Sequence, residues 1–159
     1  MQDLKPYDDL LHGERLLIRT VRLLALAAPC HSLKAHFEEA CGCAGQSAYR
    51  MLEAFVQQLG LRGRRRLTLS IPADPRLTDD EELILDAFGC AQAEDYRSLD
   101  ERLTGLLGMA PPFAVGAAAC VVAETLSMSG LVLRARPAPD SLIPQSWRDQ
   151  DACLRMAAE

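Results

Sequence analysis

SAYRMLEAFVQQLGLRGRRRLTLSIPADPRLTDDEELILDAF, residues 47–88, carries the plan of the chain. It opens on an apolar stripe of Ala48, Met51, Leu52, Phe55, Val56 and Leu59, spaced three and four residues apart. That spacing puts the six side chains on one face of a helix. Gly60 stands where the stripe ends and is expected to stop the helix, because glycine takes the left-handed conformation at low cost. A basic elbow follows, with Arg62, Arg64, Arg65 and Arg66 around Gly63. Leu67, Leu69 and Ile71 then alternate with Thr68 and Ser70, the two-residue period of a short half-buried strand. Pro72 and Pro75 break it. Thr78-Asp79-Asp80-Glu81 is a capping box: the threonine hydroxyl and the glutamate satisfy amides left over at a helix start. Leu83, Ile84, Ala87 and Phe88 form the apolar face behind it. Helix, basic elbow, extended crossing and capped helix make one unit on which the neighbouring segments must pack.

Working outward, Tyr7 to Ala28 is expected to be one long helix. Its apolar face is Leu10, Leu11, Leu17, Ile18, Val21, Leu24, Ala25 and Ala28, and its basic stripe is His12, Arg15, Arg19 and Arg22. Such a stripe reads as a solvated face that pairs with acidic neighbours in the fold, such as the Asp79–Glu82 run. Pro29 ends that helix, and Ser32 can cap a shorter one reaching Ala40. Beyond the Thr78 cap a helix is expected to about Ala93 or Asp95. Ser98-Leu99-Asp100-Glu101 reads as a further capping box, and Gly108 as the end of the helix it opens. Pro111-Pro112 forces an extended lead into a helix from Phe113 to about Met128. This helix is rich in small residues (Ala114, Gly116, Ala117, Ala118, Ala119, Ala123), which suits either the centre of a bundle or a subunit interface. Leu131-Val132-Leu133 is a second strand candidate. The fold class is therefore mainly α, a bundle of four to five main helices with at most a two-stranded ribbon pairing 67–71 with 131–135. Residues 1–136 make a single helical domain. Residues 137–159 make a proline-rich linker and a short docked tail helix, with Trp147, the only tryptophan, as its anchor.

Composition narrows the class. The chain has 159 residues, enough for one domain with a real core. Aromatics are only 5%, so that core is aliphatic. Residues 1–66 carry 10 Lys and Arg against 7 Asp and Glu, or +3; residues 67–159 carry 7 against 15, or -8, which together give the net -5. The two halves thus present different surfaces. The acidic N-terminal lead does not resemble a secretory signal. Six cysteines without an export signal read as reduced thiols of a cytoplasmic protein. The apolar stretch 113–133 contains Glu124, whose carboxylate would cost about 2.5–3.5 kcal/mol in a lone membrane span. A buried helix is the better reading, and no membrane association is expected.

Concentrated chemistry is confined to a few places. Cys30, His31, His36, Cys41 and Cys43 are five of the nine Cys and His residues. Thiolate and imidazole suit zinc, but Cys41-Gly42-Cys43 is not the C-x-x-C of zinc knuckles. The intervening helix, Leu33 to Ala40, would be about 12 Å long, with Cys30 beyond one end and Cys43 beyond the other. No bound metal is expected, and the metal candidates remain His36, Cys41, Cys43 and Cys30. Cys41 and Cys43 also admit a redox role. His36-x-x-Glu39 reverses the order found in di-iron bundles and has no second copy. Arg62, Arg64, Arg65 and Arg66 are dense enough for a polyanion. The aromatic residues that would stack on bases are missing around them, and the negative net charge also disfavours nucleic acid. No phosphate loop, dinucleotide motif or nucleophile elbow is present, and no cofactor is expected. The pattern leans towards a non-enzymatic binding or interaction protein acting as a homodimer. The alternatives are a metal- or thiol-dependent protein using Cys30–Cys43 and a polyanion-binding module using Arg62–Arg66.

Tyr49-Arg50-Met51-Leu52, Leu67 through Pro72, and Arg76-Leu77-Thr78-Asp79-Asp80-Glu81 together resemble a family of small helical proteins from alphaproteobacteria. The shared features are the apolar helix, the basic-to-extended crossing ending in proline, and the Arg-hydrophobic-Thr cap before an acidic helix. The resemblance covers roughly a quarter of the chain and implies a helical bacterial protein. The family has no established activity, so no function follows from it. Its members carry clustered cysteines after the crossing, where this chain has Pro72-Ala73-Asp74-Pro75.

Overall fold

The computed structural model describes residues 6–26 and 31–134. The chain forms helices α1 (His12–Ala25), α2 (His31–Cys41), α3 (Gly45–Arg62), α4 (Asp79–Gln92), α5 (Tyr96–Leu107) and α6 (Phe113–Met128), with 3-10 turns at Tyr7–Asp9 and Gly42–Ala44. Five of the six helices have 12 or more residues, and α2 has 11. This is the expected all-α bundle. The expected linker, tail helix and Trp147 lie outside the described residues, as do Ala28, Pro29 and Cys30.

α4 and α6 sit at the centre, α4 packed on α5 and α6, and α3 on α6 and α2. Phe55 of α3 and Phe88 of α4 meet edge to face at 4.9 Å between ring centres, both fully buried. The small residues of α6 are used inside this bundle: Ala118, Ala119 and Ala123 are buried with Val115, Val122 and Leu126. Of the two roles the sequence leaves open for that helix, this face takes the central one. Its outer side keeps Phe113 and Met128 in solvent, 90% and 83% exposed. No helix among the described residues is long and apolar enough to cross a membrane.

Several boundaries differ from expectation for local reasons. The first helix is shorter, because Tyr7–Asp9 forms a separate 3-10 turn and Leu10 and Leu11 are extended. Gly60 does not stop α3, which runs on to Arg62 and is capped by the Gly63 amide on the Leu59 carbonyl. Gly63 is the glycine that matters there: a Cβ would fall 2.5 Å from the Leu59 oxygen. α5 starts earlier than Ser98, because Asp95 accepts from the Ser98 amide at 3.2 Å and is the cap itself. Gly108 ends α5 in the left-handed region as expected, at φ 68°.

The expected ribbon does not form. No strand occurs among the described residues; one isolated antiparallel bridge joins Pro6 and Arg76. Residues 67–71 are assigned to no strand or helix, and helix side chains take the place of a partner strand. The Thr68 amide donates to Asp80 Oδ2 at 2.7 Å and the Ser70 amide to Glu81 Oε1 at 2.9 Å. The Thr78 hydroxyl donates to the Thr68 carbonyl at 2.6 Å. Residues 131–134 are held elsewhere: Gln92 accepts from the Leu133 amide at 2.7 Å and donates to the Leu131 carbonyl at 2.9 Å.

One buried ion pair closes the crossing. Arg22 and Glu81 have fully buried side chains, with Nε 2.7 Å from Oε1. The second arm is Nη2 to Oε2 at 2.9 Å. The rest of the guanidinium donates to the carbonyls of Ile71, Asp74 and Arg76 at 3.3, 2.9 and 2.8 Å. All five N–H donors of the arginine are thereby used. The Glu81 hydrogen bonds push the Arg22 pKa above its ordinary value, against the opposing effect of burial. Glu81 also accepts from the Thr78 amide at 3.0 Å, so one carboxylate both caps α4 and holds the crossing. Arg22 thus pairs with the acidic run as expected of the stripe, but in the core and not on a solvated face.

A second clasp holds the chain beyond α6. Glu14, 1% exposed, accepts from the Arg134 amide and from its Nε and Nη2 at 3.1, 3.2 and 2.8 Å. Burial raises the Glu14 pKa, but the Arg134 bonds and the Leu11 amide at 3.0 Å outweigh it, and the net shift is downward.

Breaking the buried pair by Arg22→Met should destabilise the protein by about 3–5 kcal/mol, the cost of stranding a buried charge. Arg22→Met combined with Glu81→Leu should cost less than the two single changes added together, as read by urea denaturation. For Glu14 the depressed pKa means that its contribution is fully present above the ordinary glutamate value of about 4.3. It is lost as pH falls through the lower folded-state value. Glu14→Gln should therefore flatten the acid limb of the stability–pH curve and leave its shape near pH 7 unchanged.

Candidate functional site

The crossing forms one wall of a groove of about 550 Å³. Val21, Leu24 and Ala25 come from α1; Val56, Leu59 and Gly60 from α3; Leu67 and Leu69 from the crossing; and Ile84 from α4. The alternation along 67–69 explains the placement. Amides 68 and 70 turn to α4, while Leu67 and Leu69 pack against the core beside the groove. The same wall carries Arg64, Arg65 and Arg66. Of the four polyanion candidates, these three are brought to one groove, and Arg62 does not line it. Arg65 is committed to the fold: it pairs with Asp80 and donates from Nε to the Gly105 carbonyl at 2.7 Å. The Arg64 amide is fixed on the Leu107 carbonyl at 2.7 Å, and the Arg64 and Arg66 side chains are exposed. The result is an apolar-lined cleft with cations along one edge.

A second cleft of about 470 Å³ opens between α1 and α2. His12, Arg15 and Arg19, one face of α1, line it together with His36 and Glu39 of α2, Leu16, Leu33 and Tyr7. Sequence reasoning found the stripe and the histidine separately; their meeting depends on how α2 packs and carries no local signal.

The described cysteine and histidine candidates do not share one site. His36 faces the second cleft, Cys41 is half-buried and packs on the core, and Cys43 is exposed. Cys30 lies outside the described residues, and so does the side chain of His31. Among the described residues no three His, Cys, Asp or Glu side chains come together as a metal set. Cys90 is 3% exposed, and burial pushes its thiol pKa up. Burial, aided by Glu124, does the same to Cys120.

No family model, no curated protein and no solved structure matches this chain.

The thiols give a direct check on this placement. With an aromatic disulfide reagent on native protein, Cys43→Ser should remove one fast-reacting equivalent. Cys90→Ser should change only the thiols that appear on unfolding, because a buried thiol is both inaccessible and protonated.

Proposed function

We propose that this is a non-enzymatic binding protein of the cytoplasm that works as a homodimer. Its ligand is an amphipathic anion held in the groove between α1, α3 and the crossing. The observation that carries this reading is an apolar-lined groove edged by Arg64 and Arg66. Its volume of about 550 Å³ suits a small ligand. An apolar body would cover the half-buried Leu24, Val56 and Leu69, and an acidic head would meet the guanidinium edge. A bare polyanion uses the arginines and leaves the apolar lining unused, so it is the second reading. The free thiols of Cys41, Cys43, Cys90 and Cys120 support a reducing compartment. The exposed Phe113 and Met128 on the outer side of α6 support a second copy as the partner of that face.

Dodecanoate displacing a fluorescent naphthalene sulfonate tests the groove. Gly60 lines it with nothing within 4 Å of a Cβ, so Gly60→Trp should fill the groove while the helix remains intact. Dodecanoate affinity should fall about tenfold or more in that variant, and severalfold in Arg64→Gln with Arg66→Gln. Unchanged affinity in Gly60→Trp would contradict the reading. Oligonucleotide binding that survives Gly60→Trp and is lost with the arginines would favour the polyanion instead. Light scattering at micromolar concentration should give twice the 17.4 kDa chain mass, and the monomer mass would count against the dimer.

A further inference from the structure

We propose that the cleft between α1 and α2 is a second binding site, for a small phosphate monoester, formed by Arg15, Arg19, His12 and His36. This site is independent of the groove between α1 and α3, since α1 presents a different face to each.

Three observations point to it. First, the basic residues of α1 recur at 12, 15 and 19, which places them on one side of the helix. Three side chains capable of donating hydrogen bonds to an oxyanion therefore share one wall. Second, α2 supplies His36 from the facing wall of the same cleft, so the donors approach from two elements. A solvated stripe needs no such convergence. Third, the cleft is built. Tyr7 donates its hydroxyl to the Arg15 carbonyl at 3.2 Å, and Arg15 Nη2 donates to the Asp8 carbonyl. The 3-10 turn thereby fixes one guanidinium at the mouth. Arg22, by contrast, leaves this stripe to serve the core, which shows that charge on α1 is allocated by position.

Chemistry narrows the ligand. Two guanidinium groups and two imidazoles offer more donors than the two oxygens of a carboxylate can accept, and they suit the three terminal oxygens of a phosphate monoester. The half-buried Leu16, with the buried Leu33 beneath the cleft floor, gives a small apolar surface for the esterified group. A volume of about 470 Å³ has room for one such small molecule. Among the described residues Glu39 is the single carboxylate lining the cleft, with two arginines against it. It limits the excess positive charge and should weaken the binding of a dianion.

Calorimetric titration of the full chain with phenyl phosphate, inorganic phosphate and benzoate tests the site. Phenyl phosphate should bind with a dissociation constant of about 1 mM or tighter, and more tightly than either comparison ligand. Arg19→Gln should weaken it about tenfold or more, the loss of a charge-assisted hydrogen bond. His36→Gln should weaken it less, and Glu39→Gln should tighten it. Arg19 and Glu39 are exposed, so the helical circular dichroism of these variants should match that of the parent chain. Absence of saturable heat up to roughly 10 mM phenyl phosphate would overturn the proposal. Benzoate binding as tightly as phenyl phosphate would also overturn it, as would unchanged affinity in Arg19→Gln. Gly60→Trp should leave phenyl phosphate binding intact, which separates this site from the groove between α1 and α3.

Discussion

The bidentate bond between Arg22 and Glu81 is the constraint on which the other features depend. Both side chains are fully buried, far from each other in sequence, and neither has water to fall back on. A lone buried ion pair is weak evidence for stability, because desolvation offsets much of its attraction. Here the pair is part of a larger network. Three backbone carbonyls of the crossing, at Ile71, Asp74 and Arg76, take the remaining N–H groups of the arginine. The glutamate takes amides at Ser70 and Thr78. The network does for the crossing what a partner strand does in a sheet: it satisfies main-chain groups that would otherwise be stranded. Its specificity follows from the same geometry, since a planar five-donor fork fits one arrangement of acceptors.

Fixing the crossing in this way shapes the surface. With its amides turned to Asp80 and Glu81, the chain from Arg64 to Leu69 sets its leucines beside an apolar groove and its arginines along the groove edge. α1 divides its work by face and by position. Leu17, Ile18 and Val21 enter the core, Arg22 locks the crossing, and His12, Arg15 and Arg19 open onto α2. Two clefts of different chemistry therefore flank one helix. At its N-terminal end Glu14 draws Arg134 back onto the bundle, which ties the chain beyond α6 to the first helix.

The helical class was legible because its signals are local. The stripe from Ala48 to Leu59, the capping box at Thr78 and the glycine at 108 each act within a turn or two. Glu81 illustrates the limit. Its capping role is written four residues wide, whereas its bond to Arg22 is set by tertiary packing. Arg22 is spaced with Arg19 and Arg15 and also lies one residue from Val21, on the border of the apolar face. Sequence spacing alone assigns it to either side. The alternation of Leu67, Leu69 and Ile71 signals a strand, but alternation does not name the partner, and no strand forms there. Helix side chains meet the same hydrogen-bonding need as a strand. Of the site, the arginine elbow and the histidine-bearing stripe were visible as composition. The apolar lining of one cleft and the facing wall of the other were not, because they join segments distant in the chain.

Amide hydrogen exchange at Thr68 and Ser70 tests the central claim most directly. Neither residue lies in a helix or a strand, so as loop amides they would exchange as rapidly as an unstructured peptide. If Asp80 and Glu81 hold them and Arg22 holds the crossing in place, both amides should be strongly protected, and the Arg22 Nε–H should exchange slowly with them. Exchange of Thr68 and Ser70 at unprotected rates in an otherwise protected bundle would contradict the account.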